Sequence, residues 1–219
     1  HLLGTGSGRT ESGITYHQAP PPDSQIVEWK GGLVCAPARA ALEVAATRDL
    51  EGAVVVLDAV LLRDDVSKED LWPIFESMRY RAGHLTLQAA VRLARYGAAS
   101  LAESRARVLF VLERIPKPEL QVKVYDANGE LLGILDFLWR SHNLAGEFDG
   151  AGKYFDYLRP GETPRHVLMR EKLREQRIRE VTGYDFFRMT WEDLSQRKAT
   201  SARLRAHLER AERQQARRP

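Results

Sequence analysis

Two carboxylates stand in the most strand-like part of the chain, where apolar residues would be expected. Asp136 lies inside "GILDFLW" (133–139), and Glu147 ends a second short apolar stretch. Burying a lone carboxylate costs several kcal/mol or raises its pKa until the group is neutral. A divalent cation removes this cost, because Mg²⁺ takes carboxylate oxygens as ligands and keeps several waters. If the two strands are neighbours, Asp136 and Glu147 converge at one end of a sheet and indicate a Mg²⁺ site.

Simpler explanations of these acids stay open. Asp136 could lie at a frayed strand end or pair with an arginine. Asp149 follows Glu147 by two residues, so both face the same way on an extended chain. A turn at Asp149-Gly150 would explain Asp149, but it would not explain Glu147.

Two further residues could take part in the same chemistry. Lys153 follows Asp149 by four residues, and its charge could orient an attacking water or stabilise a phosphoryl group. Glu103 has two interpretations of equal weight. It completes a capping box with Ser100, or it is a third acid that the helix entering the sheet presents to the site.

Basic residues are concentrated on the helix predicted after Thr163. Arg170, Arg174 and Arg177 are three or four residues apart, so they form one ridge on that helix. Contact with phosphates and plain solvation both explain such a ridge, and solvation is the commoner case.

Turn and capping signals define the elements that must position these residues. From Ser100 onward the predicted order is helix, strand, strand, strand, helix, strand, helix. Asn128-Gly129 turns between the first two strands, and the long helix runs from the cap Thr163 to Gly183. This order predicts a mixed four-stranded sheet with helices packed on it.

Strand alternation predicts which residues share a face of the sheet. In the first strand Leu120, Val122 and Val124 should lie on one face. In the second, one face should carry Ile134, Asp136 and Leu138, and the other Leu135, Phe137 and Trp139.

Residues 1–98 are predicted to form a separate, mainly helical subdomain. The first 24 residues are loop-like with a short strand at 13–17, and a hairpin turns at Gly31-Gly32. Helices begin near Pro37, and the last of them ends at Gly97. The predicted fold class is therefore α/β of the α+β kind, with this subdomain preceding a sheet domain at 99–219.

Composition sets further bounds. The 219 residues are 43% hydrophobic, enough for one sizeable core or two small ones, and the net charge of +3 permits a nucleic-acid partner without requiring one. Cys35 is the only cysteine, which excludes a disulfide framework and favours a cytoplasmic location. The sequence contains no run of about 18 apolar residues, so we expect no membrane span and no membrane partner. The sequence begins with His1 and not with Met, so we expect it to be a fragment of a longer protein.

From Ser100 to about Leu194 the sequence resembles the very-short-patch-repair-like endonuclease domains of the PD-(D/E)xK superfamily. The resemblance rests on "SLAESRARVLFVLE", "PELQVKVYDANGELLGILDFLW", "AGEFDGAGKY" and "EKLREQRIREVTGYDFFRMTWEDL". The upstream "GLVCAPARAALEVAA" is similar to the linker of abortive-infection (AbiEi-type) antitoxin proteins, in which such domains follow a winged helix.

The resemblance implies a restriction-endonuclease-like αβββαβ core and Mg²⁺-dependent hydrolysis of DNA phosphodiester bonds, with Mn²⁺ able to substitute. Asp136 and Glu147 would be metal ligands, and Glu103 would support the metal or its water. Lys153 matches the lysine of the family's "EFDG…KY". Lys172 and Arg174 match its "EK-x-RE" motif, and with Arg170 and Arg177 they are the expected nucleic-acid contacts.

The sequence departs from the superfamily pattern at two positions. Asp149 stands where a lysine usually follows the acid by two residues, and Leu135 replaces a proline. Lys153 is expected to substitute in space for the missing lysine, or Asp149 adds a third metal ligand. Catalytic competence is therefore the open question.

Two other functions compete with the endonuclease hypothesis. The first is a non-catalytic, DNA-binding antitoxin-like regulator that retains the nuclease scaffold, with a toxin or defence-system partner. The second is a protein-interaction module with no role in nucleic-acid binding. The C-terminal helix at 200–215 could also pair with a copy of itself to form a homodimer.

Overall fold

The structure is a computed structural model that describes residues 2–4, 9–12, 14–18, 21–78, 83–98, 100–149 and 163–215. Near the beginning of the chain, three short strands form a small sheet in the order β1-β3-β2. They are β1 (Leu2–Gly4), β2 (Arg9–Glu11) and β3 (Ile14–Gln18). The third of them corresponds to the short strand predicted from the sequence.

A two-stranded hairpin follows, made of β4 (Ile26–Trp29) and β5 (Gly32–Cys35). Its turn is Lys30-Gly31, one residue earlier than predicted, because Gly32 already pairs with Trp29. Lys30 and Gly31 have φ values of 49° and 76°. Two-residue hairpin loops favour positive φ at both central positions, since this twist matches that of the strands.

Four helices follow in the region of the predicted helical subdomain. They are α1 (Pro37–Ala45), α2 (Leu50–Val60), α3 (Lys68–Ser77) and α4 (His84–Leu93). Their buried leucines form one core, listed here in chain order: Leu42, Leu57, Leu71 and Leu87. The last helix ends at Leu93 rather than at the predicted Gly97, because Ala94 is extended.

The remaining elements follow the predicted αβββαβ order. They are α5 (Leu101–Leu112), β6 (Glu119–Tyr125), β7 (Leu131–Trp139), β8 (Leu144–Phe148), α6 (Pro164–Thr182), β9 (Asp185–Met189), α7 (Trp191–Ser195) and α8 (Arg197–Gln215). The Asn128-Gly129 turn and the boundaries at Thr163 and Gly183 are confirmed. No helix in the described ranges is both long and apolar enough to cross a membrane.

The sheet has the order β6-β7-β8-β9, with β8 and β9 parallel and the other pairs antiparallel. The predicted mixed four-stranded sheet is therefore confirmed. Phe110 of α5 packs edge-on against Phe137 and Trp139 in one core, which also receives Leu204 and Leu208 of α8. A second core surrounds Ile178 of α6.

The predicted alternation of side chains between the two faces of the sheet is interrupted at Asp136 of β7. Leu135 packs in the core around Ile178, whereas Phe137 packs in the core around Phe110. On the neighbouring strand Leu120 packs against the Phe110 core, while Val122 packs against the Ile178 core. Both strands thus change face at one place, so the predictions that grouped Leu135 with Phe137, and Leu120 with Val122, are wrong.

The helical subdomain and the sheet domain are joined through α5. Val108 belongs to the core of the first helices, while Phe110, two residues later, belongs to a core of the sheet. Arg107 pairs with the buried Asp58 of α2, and Arg105 pairs with Glu51 of the same helix. One helix therefore serves both parts of the molecule.

Candidate active site

The two predicted ligands meet where the central antiparallel strands part. The β7–β8 ladder runs from Trp139↔Leu144 to Phe137↔Gly146 and has no pair beyond that point. The next position in this register sets Asp136 opposite Glu147. The Asp136 carboxylate accepts a hydrogen bond of 2.8 Å from the backbone N–H of Phe148, so a side chain replaces the missing ladder bond.

Glu103 is joined to Asp136 through a residue that was not predicted, Gln121. The Gln121 amide nitrogen donates to Glu103 Oε2 at 2.8 Å and lies 3.4 Å from Asp136 Oδ1. Glu103 is 3% exposed. Its other oxygen accepts from the Ser100 hydroxyl at 2.8 Å, and Ser100 caps α5 by accepting from the Glu103 N–H. The predicted capping box is not formed, because Glu103 accepts from the Ser100 hydroxyl and not from the Ser100 backbone N–H. Glu103 thus contacts both the cap residue of α5 and, through Gln121, the acid cluster.

Gln121 has an unusual backbone conformation for a strand residue. Its φ is 49°, in the left-handed region that non-glycine residues seldom adopt. It stands opposite Asp136 in the β6–β7 register but does not pair with it, although strand pairing continues on either side of Gln121. Strain of this kind persists only where the surroundings impose it, and it is common at functional sites.

Glu147 of β8 is also buried, at 7% exposure. Its Oε1 accepts a hydrogen bond of 2.8 Å from Arg174 of α6. Gly133 leaves room for this arginine, because a Cβ there would lie 2.9 Å from the Arg174 guanidinium. Arg174 was predicted as part of a surface ridge, but it is turned inward to pair with a predicted metal ligand.

Burial raises the pKa of Glu147 above its ordinary value, and the nearby Asp136 carboxylate adds to the rise. The positive charges of Arg174 and Arg188 lower the pKa of Glu147, but they do not cancel the rise that burial causes. For Arg174, burial alone would lower the pKa of the guanidinium, but the pairs with Glu147 and Glu171 raise it. The site therefore holds acids that repel each other and an arginine that partly compensates them.

Asp149 and Glu147 face the same side, as predicted, and Arg188 of β9 lies beside both. The Arg188 guanidinium is 3.6 Å from Glu147 and 3.8 Å from Asp149, and it also pairs with Glu175 of α6. Sequence reasoning missed Arg188. The only local signal was its place in "DFFRM", where it is the one charged residue between apolar neighbours.

The other predicted residues fall in two groups. Arg170, Arg174 and Arg177 line one open groove of about 420 Å³, and Lys172 is exposed on the same helix. The predicted ridge is therefore present, although its central arginine also reaches into the acid cluster. Lys153 lies outside the described residues.

The described side chains are a partial fit for Mg²⁺. No three His, Cys, Asp or Glu residues in the described ranges gather into a metal-binding group. Mg²⁺ is commonly held by one or two carboxylates together with substrate phosphates, and Asp136 and Glu147 suit that mode. Arg174 already uses one oxygen of Glu147, so a cation would have to share that carboxylate or displace the guanidinium.

Two proteins of Mycobacterium tuberculosis are similar to this chain along most of its length. They are Uncharacterized protein MT2308 of strain CDC 1551 / Oshkosh and Uncharacterized protein Rv2248 of strain ATCC 25618 / H37Rv. Each is 28% identical over 213 residues, which cover 96% of this chain and 74% of the relative. No family model matches the chain.

Proposed function

We propose that this protein is a Mg²⁺-dependent endonuclease that hydrolyses phosphodiester bonds of DNA, with a restriction-endonuclease-like catalytic core. The observation that carries the proposal is the position of Asp136 opposite Glu147 where two strands part. The link from Glu103 through Gln121 to Asp136 supports it. We also infer a reducing, cytoplasmic location from the single cysteine.

The chain's own residues have distinct roles in this proposal. Asp136, oriented by the Phe148 N–H, and Glu147 would hold the cation, which when bound neutralises phosphate charge and makes water more acidic. Glu103 and Gln121 would keep the Asp136 carboxylate in position. Arg174 would stabilise negative charge on the phosphate once Glu147 engages the cation.

Cleavage of supercoiled plasmid DNA in the presence of Mg²⁺ or Mn²⁺ tests the proposal. Asp136→Asn and Glu147→Gln should each lower the cleavage rate by about 100-fold or more, the usual effect of removing a key electrostatic group. Asp64→Asn and Glu76→Gln replace exposed carboxylates of the helical subdomain and serve as matched controls. Lys153→Ala tests the residue predicted to replace the superfamily's lysine.

Binding of Mn²⁺, measured by calorimetry, gives a second readout that does not depend on turnover. Wild type should bind the ion, and Asp136→Asn should not. Equal cleavage by wild type and both acid variants would contradict the proposal. So would wild-type protein that cleaves no nucleic acid and binds no metal.

One observation favours a second candidate, a non-catalytic DNA-binding regulator with a toxin or defence-system partner. Arg174 and Arg188 already form ion pairs with Glu147 within the chain, in the place where a cation would bind. Such a protein would bind DNA through the exposed part of α6, and its affinity would fall steeply with salt. Lys172→Gln and Arg177→Gln should then weaken binding and reduce the salt dependence, whereas Arg210→Gln on α8 should not.

The acid variants separate the two candidates. For a regulator, Asp136→Asn and Glu147→Gln should leave DNA binding unchanged or make it tighter, since negative charge near a phosphate is removed. For the endonuclease, the same variants should lower the cleavage rate by about 100-fold or more. They should also lose the stimulation of DNA binding by Mg²⁺.

A further inference from the structure

A second site candidate lies away from the carboxylates, at the seam between the helical subdomain and the sheet domain. It is a cavity of about 290 Å³ between α4, α5 and the segment at 115–118. Five basic residues line it: Lys68, Arg92, Arg95, Arg107 and Lys117. So many positive charges around one small cavity need an explanation.

Three of these residues donate hydrogen bonds to backbone carbonyls. The Lys68 ammonium donates to the carbonyl oxygens of Arg92 and Ala94 at 2.9 Å and 2.7 Å. The Arg107 guanidinium donates to the Leu93 carbonyl at 2.6 Å. These carbonyls end α4, where cations are favoured by the helix dipole. Capping of the helix therefore explains Lys68 and Arg107. The Arg95 guanidinium donates to the Pro118 carbonyl at 3.2 Å, so Arg92 and Lys117 are the two lining cations that such contacts among the described residues do not explain.

Acidic residues do not balance this charge. Asp58 is paired with Arg107 and also accepts a hydrogen bond of 2.8 Å from the backbone N–H of Arg95. Arg92 and Lys117 are exposed at the rim, and no carboxylate of the described residues pairs with either. The cavity therefore keeps a positive excess at its mouth.

The cations also repel one another. Burial lowers the pKa of Lys68, and the charges of Arg107 and Lys117 lower it further, against weaker opposing effects of Asp58 and Glu69. Burial likewise lowers the pKa of Arg95, and Arg107 adds to this. A bound anion would relieve the repulsion. The rest of the lining is apolar and includes Leu93, Val111 and Ile115.

We propose that this cavity binds a small phosphate-bearing molecule, a phosphate ester of about mononucleotide size. Lys68, Arg92, Arg95 and Lys117 would surround the phosphate. The apolar wall would receive the organic part of the ligand. The volume is near the lower end of the range of about 300–1,000 Å³ found for small-molecule sites, which favours a compact ligand.

Isothermal calorimetry and thermal denaturation of the full chain test the proposal, with adenosine monophosphate, inorganic phosphate and adenosine as probes. EDTA is present so that metal at the carboxylates makes no contribution, and ionic strength is held constant. Adenosine monophosphate should bind and raise the melting temperature, inorganic phosphate should bind more weakly, and adenosine should not bind. Asp136→Asn should bind like wild type, which separates this test from that of the proposed endonuclease.

Two rim variants locate the site without disturbing the buried capping contacts. Arg92→Gln and Lys117→Gln should each weaken binding about tenfold, the usual size of one charge-assisted hydrogen bond. Lys198→Gln replaces an exposed lysine of α8 and should have no effect.

Three results would overturn the proposal. One is an absence of binding by either phosphate probe at millimolar concentration. Another is binding that Arg92→Gln and Lys117→Gln leave unchanged. The third is binding of a short DNA duplex alone through these residues, since the cavity would then belong to a DNA-binding surface.

Discussion

At the scale of single residues, Gln121 connects the acids of the candidate active site. Its amide reaches the buried Glu103 and lies near Asp136, while its own backbone has a φ of 49°. A side chain that bridges two carboxylates replaces water that each of them would lose on burial. The conformation of Gln121 thus allows the acids to be close together in the fold.

We expect Gln121→Ala to destabilise the protein by about 1–3 kcal/mol, because the buried Glu103 carboxylate loses a donor. Gln121→Gly loses the same donor but relieves the left-handed backbone, so it should be less harmful. Urea denaturation of both variants measures the difference. An alanine variant as stable as wild type would show that the bridge has no structural role.

The raised pKa of Glu147 makes stability depend on pH in a defined direction. Its folded pKa lies above its ordinary value of 4.5, so above pH 4.5 the folded state binds more protons than the unfolded chain. The contribution of Glu147 to stability is therefore fully present below pH 4.5 and is lost as the pH rises through the folded pKa.

The free energy of unfolding of wild type should accordingly fall relative to Glu147→Gln as the pH rises above 4.5. Above the folded pKa the difference should become constant. The variant also leaves Arg174 without this partner, which adds an offset that does not vary with pH in this range. Parallel pH profiles of the two proteins would contradict the prediction.

At the scale of secondary-structure elements, β8 depends on a close approach to β7. A Cβ on Gly146 would lie 2.9 Å from Trp139 Cζ3 and 3.1 Å from Phe137 Cβ. The aromatic rings of β7 occupy the space that a side chain on β8 would need. Because residue 146 is glycine, β7 and β8 can stay paired against the Phe110 core. The two strands separate only beyond it, at the candidate active site.

Gly146→Ala should lower the free energy of unfolding by about 1–3 kcal/mol through overpacking of this core. Gly32→Ala is the matched control, because a Cβ there meets only the Trp29 carbonyl oxygen at an ordinary 3.7 Å. Chemical denaturation of the two variants gives the comparison. Equal stability of Gly146→Ala and wild type would mean that the aromatic rings rearrange freely.

At the scale of the whole molecule, the helical subdomain and the sheet domain share α5. The Arg107–Asp58 pair ties this helix to α2, and both side chains are largely buried, at 11% and 1% exposure. The same arginine lines the proposed phosphate cavity. Stability of the seam and shape of the cavity therefore depend on the same contact.

Asp58→Ala should destabilise the protein by about 3–5 kcal/mol, because it leaves the buried Arg107 charge without its partner. Asp65→Ala, which removes one side of the exposed Arg63–Asp65 pair, should change stability little. Thermal and urea unfolding of both variants test this contrast. Similar effects of the two substitutions would show that the seam does not depend on the buried pair.

The order of the elements from Ser100 onward, and several of their limits, followed from the sequence alone. Asn128-Gly129 marked the hairpin, Thr163 and Gly183 marked the ends of α6, and apolar periodicity marked the strands that carry Asp136 and Glu147. These signals act between neighbours along the chain, within a turn or a few residues. They were sufficient for the αβββαβ order and for the choice of acids.

The arrangement of the site was decided only by the tertiary structure. Gln121 reaches Glu103 across 18 positions of sequence, and Arg174 reaches Glu147 across 27. No local pattern encodes such contacts, because they depend on how α5, α6 and the sheet pack. The change of face at Asp136 and the inward turn of Arg174 arise in the same way, from burial that the whole fold imposes on these residues.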